Sequence, residues 1–361
     1  MHALDDPETY TRLDPDGLLG RISGLPEQCR EAWRLAKGFH FPSDFGEVDN
    51  VLVLGMGGSA IAGDIVRSLA TYLRAGSLPH GSKAVLVHRG YDLPSLAGER
   101  TLVVACSYSG ETEEVLSSFG QSLDGPSKKI VITTGGKLLA LAQSRGVPAY
   151  VFEYQGEPRS AMGHGLMPLL ALAEVAGVLA DQSRGVDEAV ALMEELRQEI
   201  GEAVPLERNA AKQLAVRLQG KLPVIYGAEV LTEAAHRWKT QLNENGKVWA
   251  FYEEISELNH NAVEGFGLPR EVAERAYVVF LYHRGLNPRN ILRYNGTHDA
   301  LEAAGVGSER VEARGEGDLA RVLTAIHFGD WVSYYLAMLN GVRPSPVTSI
   351  QHLKKWLAEE K

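Results

Sequence analysis

The chain has 361 residues, of which 45% are hydrophobic and 23% charged. That length holds about two domains and that balance belongs to a folded globular protein, so a disordered chain is excluded; with two Cys, and 38 Gly on no fixed period, disulfide scaffolds and collagen are excluded as well. The 36 Lys and Arg stand against 46 Asp and Glu, a formal charge of −10, which excludes nucleic acid and membrane as non-specific partners but leaves room for an anionic small molecule in a locally electropositive site.

The N-terminus, MHALDDPETYTRLD, is acidic and polar, unlike a signal or transit peptide. The longest apolar run, Leu166 to Leu179, is broken by Pro168, Glu174 and Gly177 and is too short to span a bilayer. The expected location is the cytoplasm, where Cys29 and Cys106, which form no CxxC pair, stay reduced. Residues 1–45 read as a polar lead-in with one helix, Gly24-Leu25-Pro26 followed by EQCREAWRLAKGF. Residues 46–160 carry short β-branched runs at Asn50–Leu54, Ala84–His88, Thr101–Cys106, Lys129–Thr134 and Pro148–Phe152, each with turn residues and a helical pattern nearby. Continuously apolar strands alternating with helices predict a parallel sheet covered on both faces.

Residues 161–219 read as a helical connection, with EAVALMEELRQEIGEAV apolar at three- and four-residue spacing. A second αβ series fills 220–361. It has strands at Leu222–Tyr226, Lys247–Tyr252, Ala276–Tyr282 and Ser308–Ala313, a long helix from Leu231 to about Asn245, and a closing helix at Ser349–Glu360. The expected fold class is α/β: two doubly wound parallel-sheet halves, each an αβα sandwich, behind a helical lead-in.

VLVLGMGGSA at Val51–Ala60 is a strand, a glycine-rich turn and a helix start, where backbone amides can approach an anion. Gly55, Gly57 and Ala60 match a dinucleotide pattern, but the next strand ends in His88 and Arg89 where that reading needs an acid. Gly57, Gly58 and Ser59 are therefore expected to meet a small substrate, against the plain alternative of a tight turn with no ligand. CSYSGET at Cys106–Thr112 also follows a strand and sets Ser107, Ser109, Gly110 and Thr112 at the mouth of a helix beginning ETEEVL. Hydroxyls and free amides converging at a helix N-terminus suit a phosphate monoester. Glu111, Glu113 and Glu114 would repel a dianion unless turned away, and a capped helix with no ligand is the competing reading.

SYSGET after a buried strand resembles the phosphosugar-binding signature of the sugar isomerase (SIS) superfamily. With GMGGSAIAGD at Gly55–Asp64, TTGG at Thr133–Gly136, PRSA at Pro158–Ala161, QLNENGK at Gln241–Lys247, ELNHN at Glu257–Asn261 and LPEQ at Leu25–Gln28, the chain resembles the bifunctional phosphoglucose/phosphomannose isomerase family along nearly its whole length. The resemblance implies two SIS-type subdomains per protomer and a homodimer whose active site is shared between subunits. It makes Gly57, Gly58, Ser59, Ser107, Ser109, Gly110 and Thr112 substrate contacts, Arg159 the cation beside the reacting carbons, Glu244 the base and His260 the ring-opening group. A lysine of the last helix, Lys354 or Lys355, completes the set. One departure stands out: Ala262 occupies the place after His260-Asn261 where the family usually has a glutamate, and Glu264 follows two residues later.

The implied reaction interconverts glucose 6-phosphate, and by extension mannose 6-phosphate, with fructose 6-phosphate. Moving a proton between C-1 and C-2 through an enediolate needs a carboxylate, a fixed cation for the oxyanion and an acid–base pair for ring opening. Glu244, Arg159 and His260 supply these types with no cofactor and no metal. Taken singly they would read as a solvated helix residue, a loop ion-pair partner and a turn histidine; their joint order raises them. His164, His236, His283, His298 and His327 are scattered, which argues against zinc. A phosphosugar-sensing SIS protein without catalysis is the alternative, disfavoured by Glu244 and by the lack of a helix-turn-helix module.

Overall fold

The computed structural model describes residues 2–72 and 83–360. Three helices open the chain: α1 (Pro7–Leu13), α2 (Leu18–Ser23) and α3 (Leu25–Gly38). The last is the expected lead-in helix. Pro26 stands in its first turn, where a missing N–H loses no bond, and Cys29, Ala32, Trp33 and Ala36 recur at helical spacing on the buried face.

The first sheet contains β1 (Asn50–Gly55), β2 (Ala84–His88), β3 (Thr101–Ser107), β4 (Lys128–Thr133) and β5 (Ala149–Val151). All pair in parallel, in the order β2-β1-β3-β4-β5. Between these strands come α4 (Gly57–Thr71), α5 (Glu113–Ser122) and α6 (Gly136–Ser144). Leu52, Leu54, Val103, Ala105 and Val131 pack on one side against Val115 and Phe119 of α5 and Leu138 and Ala142 of α6. Val51, Val53, Val104, Ile130 and Ile132 face the opposite core with α4 and α7 (Met162–Val175). Covering both faces is why these strands are apolar throughout rather than alternating.

After α8 (Ser183–Ile200) and α9 (Ala210–Leu218) comes the second sheet, β6 (Leu222–Ala228), β7 (Phe251–Ile255), β8 (Ala276–Tyr282) and β9 (Gly307–Glu312). Its order is β7-β6-β8-β9, again all parallel. Here α10 (Thr232–Glu244), α11 (Arg270–Ala273) and α12 (Pro288–Ala303) lie between strands, with α13 (Asp318–Leu339) and α14 (Thr348–Glu359) at the end. The run β6-α10-β7-β8-β9 thus repeats the layout of β1-α4-β2-β3-β4 without repeating its sequence.

The strand expected at Lys247–Tyr252 starts later, at Phe251, which pairs with Val224. The intervening backbone closes the end of α10 instead: Val248 N–H donates to Leu242 O at 3.1 Å, and Lys247 takes a left-handed φ of 56°. Helix α13 has no counterpart among the elements expected from the sequence. Its 22 residues are buried almost throughout, with Trp331, Tyr334 and Tyr335 fully enclosed. A helix apolar on every side carries no amphipathic period to read. It packs on α8, α9 and α10, Trp238 Nε1 donates to Ala325 O at 2.7 Å, and the same core continues into the first half. No described helix is long and apolar enough to cross a membrane.

Candidate active site

The C-terminal ends of β1, β3 and β4 open on one crevice, the place where doubly wound sheets bind ligands. Ser107 ends β3, and its Oγ lies 2.8 Å from Thr112 Oγ1 and accepts from Gly110 N–H at 3.1 Å. Ser109 Oγ accepts from Glu111 N–H at 3.2 Å. Gly110 is left-handed at φ 67°, and a Cβ there would sit 1.9 Å from Gly135 O, so only glycine fits. The Thr133–Gly136 turn is locked on from the other side: Thr134 Oγ1 donates to Tyr108 O at 2.6 Å and Leu138 N–H to Gly110 O at 3.0 Å.

Thr112 occupies the N-cap of α5, but its hydroxyl is spent on Ser107 and makes no cap bond. The first-turn amides of α5 therefore stay available for an anion. The acids beside them turn outward. Glu111 pairs with Lys137 at 2.8 Å, which holds its carboxyl below the usual range, and Glu113 accepts from Tyr91 OH at 3.2 Å.

At the end of β1, Met56 caps α4 with no side-chain bond and Gly57 is left-handed at φ 50°. Gly58 faces the loop of Arg159: a Cβ on it would lie 3.6 Å from Pro158 O and 3.9 Å from Arg237 Nη1. Gly58 and Ser59 line one pocket with Cys106, Tyr108, Pro158 and Arg237. Burial pushes the Cys106 thiol up to about 12, so it serves as apolar lining. Where a dinucleotide site would need an acid after β2, Arg89 pairs instead with Asp64 of α4.

Arg159 and Glu244 come together from opposite halves. The guanidinium is buried, at 4% exposure. Nε donates to Asn245 Oδ1 at 2.6 Å, Nη2 donates to Pro344 O and Ser345 O at 2.8 and 2.9 Å, and Nη1 stands 3.5 Å from Glu244 Oε2. Glu244, the last residue of α10, keeps 30% of its side chain exposed. The result is a fixed cation behind a carboxylate with an open face. Lys247 grips the same strap, donating to Pro344 O at 3.0 Å, and burial beside Arg159 pushes its pKa down to about 8. The lead-in contributes too: Gln28 accepts from Gly163 N–H at 2.6 Å and donates to Ser160 O at 2.9 Å, pinning the loop that carries Arg159.

The two C-terminal lysines separate. Lys354 lines a groove with Thr112, Glu111, Lys137 and Leu353, beside the mouth of α5. Lys355 lies 3.8 Å from Glu359 on the exposed helix. His260 is exposed on a short turn after edge strand β7 and makes no side-chain hydrogen bond among the described residues. After it, Asn261 Oδ1 accepts from Ala262 N–H at 2.6 Å and Asn261 Nδ2 donates to Glu257 at 2.9 Å.

At the matching end of the second sheet, where His283, Arg284, Arg314 and Arg321 line an open pocket, two of the chain's own carboxylates bond backbone near helix starts. Glu229 accepts from Asn287 N–H and Asn290 Nδ2 at the start of α12, both at 2.8 Å, and Glu188 accepts from Glu316 N–H at 2.6 Å before α13. Among the described residues, Asp64, Glu233 and His236 could together hold an ion, but Arg89 and Arg67 already neutralise the two carboxylates.

The bifunctional phosphoglucose/phosphomannose isomerase of Caldicellulosiruptor bescii is 37% identical to this chain over 341 residues, 94% of this chain and 98% of that protein. This chain belongs to the bifunctional phosphoglucose/phosphomannose isomerase family. A protein of the same description from Aquifex aeolicus is 31% identical over 336 residues, 91% of this chain and 98% of that one. The family description "Bacterial phospho-glucose isomerase C-terminal SIS domain" matches residues 207–357. In fold, a hypothetical protein of Thermus thermophilus superposes with a TM-score of 0.72 at 18% identity, covering 98% of this chain and 94% of that one.

Within this isomerase family member, the sequence reading missed Asn245, Lys247 and Arg237. Asn245 is fully buried, bonding both Arg159 and Ser333 Oγ at 3.0 Å. QLNENGK carries the signal for the first two: a polar run at a helix end beside Glu244. Arg237 sits in RWKTQ, where an arginine reads as solvent-facing, yet it is 2% exposed.

Proposed function

We propose that this protein is a cytoplasmic aldose–ketose isomerase that interconverts glucose 6-phosphate, and mannose 6-phosphate, with fructose 6-phosphate. The observation that carries the reading is the Arg159–Glu244 pair, a buried cation fixed by three hydrogen bonds against a half-open carboxylate. The substrate phosphate sits on Ser107, Ser109, Gly110, Thr112 and the first-turn amides of α5, with Lys354 over it. Gly57, Gly58 and Ser59 meet the sugar. Glu244 takes the proton from C-2 of the aldose or C-1 of the ketose and returns it to the neighbouring carbon, while Arg159 balances the enediolate charge.

Ring opening is assigned to His260 of a partner subunit in a homodimer. Support comes from its exposure after an edge strand and from apolar residues left uncovered before and after that segment: Trp249 is 74% exposed and Leu268 82%. The partner in this reading is a small sugar phosphate, with no role for nucleic acid or membrane. The test is a coupled assay in which fructose 6-phosphate is converted to glucose 6-phosphate and oxidised by an added dehydrogenase, with mannose 6-phosphate as the second substrate. Turnover of both supports the reading. Saturable phosphosugar binding with no turnover of either overturns it in favour of a sensor.

A further inference from the structure

Arg237 lies on α10 about two turns before Glu244, on a helix whose partly buried positions carry Lys239 and Glu244. Its guanidinium is buried and split between three neighbours. Nη2 donates to the backbone carbonyl of Arg159 at 2.6 Å and stands 3.6 Å from Asp330 Oδ2 on α13, while Nη1 faces Gly58. The Asp330 contact is a loose one: Asp330 Oδ1 and Arg237 Nε have no hydrogen-bond partner, and burial raises the Asp330 pKa. A buried arginine kept only for that ion pair would be expected to use its fork on the carboxylate. Here the best bond of the fork goes instead to the peptide of the residue that faces Glu244.

We propose that Arg237 is a positioning residue of the isomerase, tying the Arg159 backbone to α10, beside the Gly58 turn, so that the Arg159 guanidinium stays against Glu244. It rests on the isomerase reading above. The side-chain anchors of Arg159 come from the second half, through Asn245, Pro344 and Ser345, whereas Arg237 is the second-half group that holds its main chain. Losing it leaves the cation present and bound at its tip but free to shift at its root.

The test compares Arg237→Met, Arg237→Lys and Asp330→Asn in the full-length protein. A misplacement of the reacting groups predicts that Arg237→Met lowers kcat by about 10- to 100-fold with KM changed less than about threefold. Arg237→Lys keeps a donor and the charge and should recover to within about three- to fivefold of the unsubstituted protein. Asp330→Asn should lower thermal stability but spare kcat. Hydrogen exchange at the amides of residues 157–161 gives a readout apart from activity: faster in Arg237→Met, unchanged in Asp330→Asn. Unaltered kcat and exchange in Arg237→Met overturn the proposal, as does an equal kcat loss in Asp330→Asn. Should Arg237→Met fail to fold, Arg237→Gln takes its place under the same two readouts, and unaltered kcat and exchange there overturn the proposal. An unsubstituted protein with no turnover would fail the isomerase reading instead, and the exchange comparison would still judge this one.

Discussion

Arg159 Nη1 lies 3.5 Å from Glu244 Oε2, joining the loop after β5 to the end of the helix that follows β6. The pair is asymmetric. Arg159 is enclosed and held by three acceptors, while Glu244 has one cationic partner and an open side. The proposed base needs that freedom, and the proposed oxyanion partner needs the opposite.

Glu244→Gln keeps the shape and removes the proton acceptor. It is expected to lose about 10²- to 10⁴-fold in kcat while fructose 6-phosphate still binds. Solvent deuterium should no longer enter C-1 or C-2 of the sugar. Near-normal exchange by NMR would move the base to another residue.

Ser109→Ala with Thr112→Ala removes two hydroxyls from the anion crevice and, with Thr112, the partner of Ser107. Hydrogen bonds to a charged group contribute about 1.5–3 kcal/mol each, so 6-phosphate affinity should fall by orders of magnitude. Thermal stability should change little because Ser109 is exposed and Gly110 still sets the turn. Calorimetric titration with fructose 6-phosphate measures the loss; unchanged affinity would remove phosphate from this crevice.

The sheets were legible because both-face burial leaves a contiguous signature, and β1 to β6 stand within a few residues of their expected places. The crevice proposed for the phosphate stands out for a related reason: hydroxyls, glycine and a helix start fall in one short stretch after β3. Glu244 and Arg159 are different. Asn245, beside Glu244 at the end of RWKTQLNEN, bonds Arg159 directly, but the rest of the hold comes from two distant segments, the carbonyls of Pro344 and Ser345 and the side chain of Gln28. Arg237 was hidden by the ordinary expectation that arginine on a helix meets water, and α13 by having no polar face at all.

The groove beside α5 distinguishes the two lysines of α14. Lys354→Met should weaken fructose 6-phosphate binding or turnover by about tenfold, the value of one lost charge-assisted contact. Lys355→Met removes only an exposed 3.8 Å pairing with Glu359 and should behave as the unsubstituted protein. Steady-state kinetics of both variants suffices, and the reverse ranking would exchange their roles.

His327 sets an acid limit on stability. It is fully buried in α13, Nε2 accepts from Trp331 Nε1 at 3.3 Å, and burial pushes its pKa down to about 3. As pH falls below the unfolded value near 6.5, the unfolded chain takes a proton that the folded chain refuses. Stability is therefore full above about pH 6.5 and is lost on the way down to about 3, with a slope of at most about 1.4 kcal/mol per pH unit from this group. Denaturant melts across that range should show a shallower slope in His327→Gln than in the unsubstituted protein. An identical slope would mean the imidazole finds a proton in the fold.

The shared-site arrangement is the most exacting claim, because among the described residues no hydrogen bond or ion pair links His260 to Glu244. His260 stands beyond edge strand β7, whereas Glu244 lies at the root of that strand's approach, against Arg159. Chains carrying Glu244→Gln and chains carrying His260→Ala should each be nearly inactive alone. If His260 works in the partner's site, a mixed dimer has one site with intact Glu244 from the second chain and intact His260 from the first, and one site with both defects. Mixing after unfolding and refolding should then restore activity, up to about a quarter of the unsubstituted rate for random pairing of equal amounts. Differently tagged chains prove that mixed dimers form, and the rate is followed against mixing ratio. Abundant mixed dimers with no gain in rate would put His260 to work within its own chain, or remove it from the reaction.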